Sequence, residues 1–272
     1  MELREQALRV LRLADPAQKV LDLLALWSQQ HGLTLEPHRM LSPPPLDADL
    51  PGRPALPRLV QPQQVPQRSP FTQEGRAALV HAVCHIEFNA INLALDAIWR
   101  FANLPADYYL DWFRVAHEEA CHFDMLHRHL QSLGHVYGDF EAHDGLWRMC
   151  SRTAHDVVAR MALVPRTLEA RGLDATPLIQ SRLRQIDTPD ARQLVACLDV
   201  ILRDEIGHVE IGNRWYRWLC EQQGLEPVSH YRHLVRQYSA PRLRPPFNRE
   251  AREAAGFSAE EMAFLTSDGV SD

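Results

Sequence analysis

Two Glu-x-x-His pairs offer the chemistry most open to this chain: Glu119 with His122 in HEEACHF, and Glu205 with His208 in DEIGHVEIG. Residues three apart on a helix share a face, so each pair presents a carboxylate and an imidazole to one point, as a metal ligand set would. With 17 Glu and 14 His in the chain, about one such pair is expected by chance. The spacing alone therefore decides little.

Register decides more. Trp112, Val115, Ala116, Phe123 and Leu126 share the face of the first pair, and Leu194, Leu198, Ile201, Leu202 and Val209 that of the second. A third carboxylate, Glu87, is the most anomalous, because its face neighbours are Val80, Val83, Cys84, Ile91, Ala94 and Ile98. Buried there and ionised, it must be neutralised, paired or bound to a cation. Glu169 in VPRTLEARGLD is the fourth candidate, with a salt bridge to Arg166, three residues earlier, as the alternative reading.

The elements that would carry these residues are long helices, and their turns give an independent check. With a turn at Leu104, Glu87 lies 17 residues before it and Glu119 15 after, or about 25 and 23 Å along the two helices. Around Asp187-Thr188-Pro189, Glu169 and Glu205 are each 18 residues from Asp187. Gly172 and Pro177 are expected to break the helix after Glu169, leaving a shorter one from Pro177 to Ile186. The second helix should end near Gly134, and the third should start near Thr153, with Asp156 three residues on in a capping-box-like arrangement. The segment between them can cross roughly 45 Å, since an extended residue covers about 3.3 Å, and such a crossover lets the second and third helices run parallel.

One Glu from each of two helices plus a Glu-x-x-His from each of two others is the inward-facing pattern of ferritin-like di-iron and di-manganese carboxylate proteins, and the chain resembles that superfamily. More narrowly, HAVCHIEFNAINLALDAIWRF, HEEACHF, VPRTLEARGLD and DEIGHVEIGNRWY resemble a bacterial ferritin-like family of unassigned function, with PPFNREAREAAGF similar to its tail. The resemblance runs from about Phe71 onward. It implies an all-α ferritin-like four-helix bundle with a long crossover, and a two-metal centre held by Glu87, Glu119, His122, Glu169, Glu205 and His208. It also implies that Glu119 and Glu205 bridge, that Glu87 and Glu169 are terminal, and that each histidine serves one metal. Four carboxylates balance two divalent ions, and mixed oxygen and imidazole ligation suits two iron ions, a Mn/Fe pair or manganese.

Asp204 is the candidate to orient a ligand histidine from behind, against the alternative of a solvated Asp on the helix. His81 and His85 are an i, i+4 pair that helical rotation puts off the Glu87 face. His129 should mark the end of the core, and Cys84 and Cys121 flank the ligands.

Around this site the chain divides into an N-terminal helical appendage (1–32), a Pro-rich extended strap (33–70), the bundle (71–223), and a C-terminal strap with short helices (224–272). Helices are expected over Glu2–Ala14 and Pro16–His31, the second capped by Asp15. At the C-terminus they should start near Asn248 and at Ser258, where Ser258 and Glu261 form a capping box. Five cysteines without a Cys-x-x-Cys argue against a disulfide framework. A charged N-terminus and the lack of an apolar run near the roughly 20 residues of a membrane span predict a soluble, cytoplasmic protein with no membrane partner. The net charge of −6 does not suit a general nucleic-acid binder. An arginine cluster from Arg232 to Arg252, interrupted by Glu250 and Glu253, could meet an anionic substrate, RNA included, or simply be a solvated surface.

The expected function is a di-metal oxidoreductase that activates O2 or peroxide to hydroxylate or oxidise an organic substrate. That substrate is either a small molecule or RNA-linked, as in the ferritin-like hydroxylases that modify tRNA. No flavin or nicotinamide fingerprint is present, so an external electron donor is expected, and a homodimer is compatible with this reading. The alternatives are iron oxidation with storage or detoxification, and a metal-binding scaffold without catalysis.

Overall fold

Local signals start the first helices where the sequence puts them. Asp15 accepts a hydrogen bond from Gln18 N at 2.7 Å, Pro16 takes the first helical position, and α2 runs Pro16–Ser28 behind α1, Leu3–Leu11. The architecture is that of a computed structural model describing residues 1–41 and 50–267. Residues 42–49 of the expected strap and 268–272 of the expected C-terminal segment lie outside the described residues. All regular structure among the described residues is helical, with only two isolated β-bridges. The chain separates into two compact units.

The first unit comprises Met1–Trp147 and Ile186–Cys197. Its centre is α3, Gln73–Arg100, packed antiparallel on α4, Ala106–Ser132. Cys84 Sγ bonds the Phe123 carbonyl at 3.7 Å, and one turn on Glu87 meets His122. Gly134, at φ 81°, closes α4 in the left-handed conformation, with His135 N on Leu130 O at 3.2 Å.

Two buried cations tie the N-terminal helices to this pair. Arg4 donates to Ile98 O at 3.3 Å and to Trp99 O at 3.0 Å, carbonyls at the C-terminal end of α3, where helical partners run out. Lys19, the single lysine of the chain, donates to Leu11 O, Gly52 O and Asn92 Oδ1 at 3.1, 3.1 and 2.5 Å. The strap is bound as well, with Val60 N on Ala142 O at 2.8 Å and Ala142 N on Arg58 O at 3.1 Å.

Against the expectation that no apolar run is long enough, α3 has the length and composition of a membrane span, with a mean hydropathy of 1.4 over its best window. Within this protein 72% of that window is buried, so the apolar surface faces the core.

The second unit comprises Arg148–Gln185 and Leu198–Asp272. The crossover is not simply extended, because α5 occupies Gly145–Arg152. The next helix, α6, spans Val157–Leu163 and starts later than expected. Asp156 is its N-cap, accepting from Ala159 N at 2.9 Å, while Thr153 Oγ1 accepts from Arg160 Nε at 2.9 Å. A π-helical turn, Val164–Glu169, then leads into α7, Ala170–Leu183.

The expected break at Gly172 and Pro177 does not occur. Pro177 cannot donate to Leu173 O, four residues back, and the Asn248 side-chain amide takes that carbonyl instead at 3.1 Å. The long helix α8, Pro189–Gln222, begins in the first unit and continues in the second. Last come α9 (Pro227–Gln237), α10 (Arg249–Ala254) and α11 (Ala259–Ser267). Asn248 caps α10, and the Ser258 and Glu261 box caps α11 through bonds of 2.7 and 3.2 Å.

Candidate metal centre

In the first unit, α3 and α4 bring Glu87, Glu119 and His122 together. His122 Nδ1 lies 3.2 Å from Glu87 Oε2 and 3.4 Å from Glu119 Oε2, and none of the three is more than 2% exposed. The packing that buries them is the apolar stripe read in the sequence, with Val80, Cys84, Ile91, Val115, Ala116, Phe123 and Leu126 all in the core.

Electrostatics follow from that burial. Burial pushes the Glu87 carboxyl well above the usual carboxylate range, and the neighbouring Glu119 charge pushes it further, against the pull of His122. For His122 burial disfavours the imidazolium, but its contacts with Glu119 and Glu87 outweigh that and drive its pKa up. Both shifts have one cause: two carboxylates in a dry core demand positive charge, and His122 supplies a proton.

His81 and His85 turn away from this cluster. His81 Nε2 accepts from Gly138 N at 2.9 Å, and His85 bonds the Tyr137 hydroxyl and the His143 carbonyl at 2.8 and 3.1 Å. His129 is buried near the end of α4, and Cys84 is buried while Cys121 is exposed.

In the second unit α8 carries Glu205 and His208, with Oε2 and Nδ1 3.8 Å apart. Glu169 sits on the π-turn and is likewise buried. Two contacts fix the register between these segments. Gly212 abuts Pro165, and Gln180 Nε2 bonds Asp199 Oδ1 at 2.7 Å, so the α6–α7 strand of helix runs antiparallel to α8. Stepping four residues from Pro165 along one helix and four back from Gly212 along the other arrives at Glu169 and His208 on one level.

The π-turn has a chemical cause. Pro165 has no N–H for the carbonyl four residues back and its ring crowds that carbonyl, so the helix widens. Thr167 Oγ1 then bonds Ala162 O, five residues back, at 2.7 Å. Arg166 does not pair with Glu169. Its guanidinium donates to Asn213 Oδ1 at 2.6 Å and to Glu261 Oε1 at 2.8 Å. Asp204 is bound by both carboxylate oxygens to Arg203, at 2.8 and 3.1 Å.

A family model described as "Protein of unknown function (DUF455)" matches residues 12–263, a span that includes all six candidate ligands. The chain belongs to the DUF455 family. An "Uncharacterized protein" of Haemophilus influenzae (strain ATCC 51907 / DSM 11121 / KW20 / Rd) is 49% identical over 219 residues, covering 78% of this chain and 75% of the relative. No solved structure matches the chain.

The residues of this DUF455 chain fit a cation. Glu87, Glu119 and His122 each offer a ligand atom, all within 4.8 Å of one another, from a carboxylate and imidazole set suited to iron or manganese. Sequence reasoning missed Pro165, Gly212 and Glu261 as residues that fix the segments carrying Glu169, Glu205 and His208. Their signals were present in part: a proline inside a helical pattern, a glycine one turn beyond His208, and a capping-box glutamate whose side chain reaches further than its own helix.

Proposed function

We propose that this DUF455 chain is a di-metal carboxylate oxidoreductase built on a ferritin-like four-helix bundle, in which the two clusters serve one centre. Two iron ions, or manganese in one or both places, would supply the binding and redox activation of O2 or peroxide needed to hydroxylate or oxidise an organic substrate. Glu87, Glu119 and His122 would hold one ion and Glu169, Glu205 and His208 the other, the carboxylates offsetting the charge of both. An external donor supplies electrons.

One observation carries this reading: a carboxylate pair and an imidazole converge in a core from which water is excluded, a costly arrangement unless a cation completes it. His122 must surrender the proton it shares with Glu87 and Glu119 before its ring nitrogen can act as a ligand. With a cation bound, the carboxylates would offset its charge in place of the imidazolium's. The apolar residues around them, Ile91 and Val115 among them, keep bulk water off the centre.

The test is elemental analysis of protein purified without a metal-binding tag, then anaerobic ferrous loading and exposure to O2. About two iron or manganese ions per chain, with a transient oxygen-dependent absorbance, is the expected result. Trace metal with no uptake would rule the reading out.

A further inference from the structure

We propose that Glu261, on the C-terminal helix α11, is a positioning residue for the metal centre: it holds Arg166 as its own ion-pair partner and thereby reserves Glu169 for metal. The inference rests on the di-metal reading of Glu169.

An arginine and a glutamate three residues apart on a helix are natural partners, and Arg166 precedes Glu169 by that spacing. The π-turn carries the two further apart around the helix than an α-turn would. Arg166 is then fixed in another direction. Besides Asn213 and Glu261, it has the rings of Phe257, Tyr231 and Tyr216 at 4.8, 5.0 and 5.3 Å from its guanidinium carbon. Only 3% of its side chain is exposed.

Glu261 is equally constrained. Its second oxygen accepts from Arg217 Nη2 at 2.8 Å and from Ser258 N at 2.7 Å, so the capping box that starts α11 also aims the carboxylate. Asn213, which shares Arg166, is itself held by the Ala255 carbonyl at 2.7 Å. Removing one member of a buried ion pair leaves the other seeking a partner. For Arg166 without Glu261 charge, the carboxylate three residues along its own chain is Glu169. The C-terminal segment, remote in sequence from every ligand, would thus decide whether one ligand stays in place.

The experiment uses the full chain, loaded anaerobically with ferrous iron, and reads bound iron per chain and iron affinity for four proteins. Wild type should bind two ions. Glu261→Gln, which keeps the size of the side chain and removes its charge, should bind one of them at least about 10-fold more weakly, the scale seen when residues behind metal ligands are changed. Adding Arg166→Met to Glu261→Gln should restore binding, because the competitor for Glu169 is gone; a purely structural role predicts a further loss instead. Arg166→Met alone should keep both ions, and this holds as a test even if Glu261→Gln fails to fold. Wild-type affinity in Glu261→Gln, no recovery in the double variant, or iron lost from Arg166→Met would each overturn the inference. Wild-type protein that takes up no iron would overturn the di-metal reading itself.

Discussion

Pro165 and Gly212 pack so closely that a Cβ built on Gly212 would stand 2.5 Å from the Cβ of Pro165. Only a residue without a side chain allows α8 to approach the π-turn this far, and that approach sets the register between the segments that carry Glu169 and His208. Gly212→Ala should cost about 1–3 kcal/mol of stability by overpacking and should weaken metal binding at the second cluster. Thermal unfolding with and without iron reads both effects. An unchanged melting temperature with full metal content would mean that the ring of Pro165 yields without moving Glu169.

Glu87→Gln separates a ligand from a structural carboxylate. Burial and the neighbouring Glu119 hold the Glu87 carboxyl far above the usual carboxylate range, so an amide of the same shape stands in for the neutral form that the dry core favours. The metal-free variant should therefore keep close to the stability of metal-free wild type, while bound metal falls. His85→Ala, whose side chain faces Tyr137 and His143 instead, should keep its metal. Equal metal content in the two variants would remove Glu87 from the ligand set.

Acid should unfold the first unit partly through His81. Burial, opposed by Asp139 and reinforced by His135, pulls its pKa from 6.5 to about 4, and its Nε2 must stay unprotonated to accept the Gly138 N–H. Between those two values the unfolded chain binds more protons than the folded one, so this contribution is complete above pH 6.5 and is lost as pH falls toward 4. The loss should reach roughly 3 kcal/mol over that interval. Urea unfolding at pH 7 and pH 4.5 should show a smaller drop for His81→Gln than for wild type; parallel drops would assign acid sensitivity to other groups.

The bridging of Pro177 by Asn248 predicts a coupling between them. Asn248→Ala removes both the α10 cap and the bond to Leu173 O, and should cost about 2 kcal/mol. With Pro177→Ala already present, a backbone N–H is available to Leu173 O, so the same change should cost about 1 kcal/mol less. A double-mutant cycle measured by denaturant unfolding gives this difference directly. Strict additivity would show that the carbonyl does not need the amide.

Features encoded by neighbours in the chain were legible from the sequence. Asp15 and the Ser258 and Glu261 box mark helix starts because a cap needs only the next three residues, and the Glu87 and Glu119 register follows from one short turn. The continuity of α7 was not legible, because the group that rescues Pro177 lies 75 residues away from the carbonyl it bonds. Nor was the π-turn, which depends on Pro165 locally but also on Gly212 and on the Tyr231 hydroxyl 2.8 Å from Thr167. Asp156 was recognised as a start signal but at the wrong position, since Thr153 and Asp156 are both competent caps and the packing of Arg160 on Thr153 selects the later one.

The reach of Arg4 to the carbonyls of Ile98 and Trp99 spans 94 and 95 residues. During synthesis α1 therefore emerges long before the helix end it completes, and its guanidinium has no native acceptors there until residue 99 has left the ribosome. The contacts of α1 with α3 and of α2 with α4 therefore form only once those later helices have been made, a cost in loop closure that α1 and α2, which pack on each other, share.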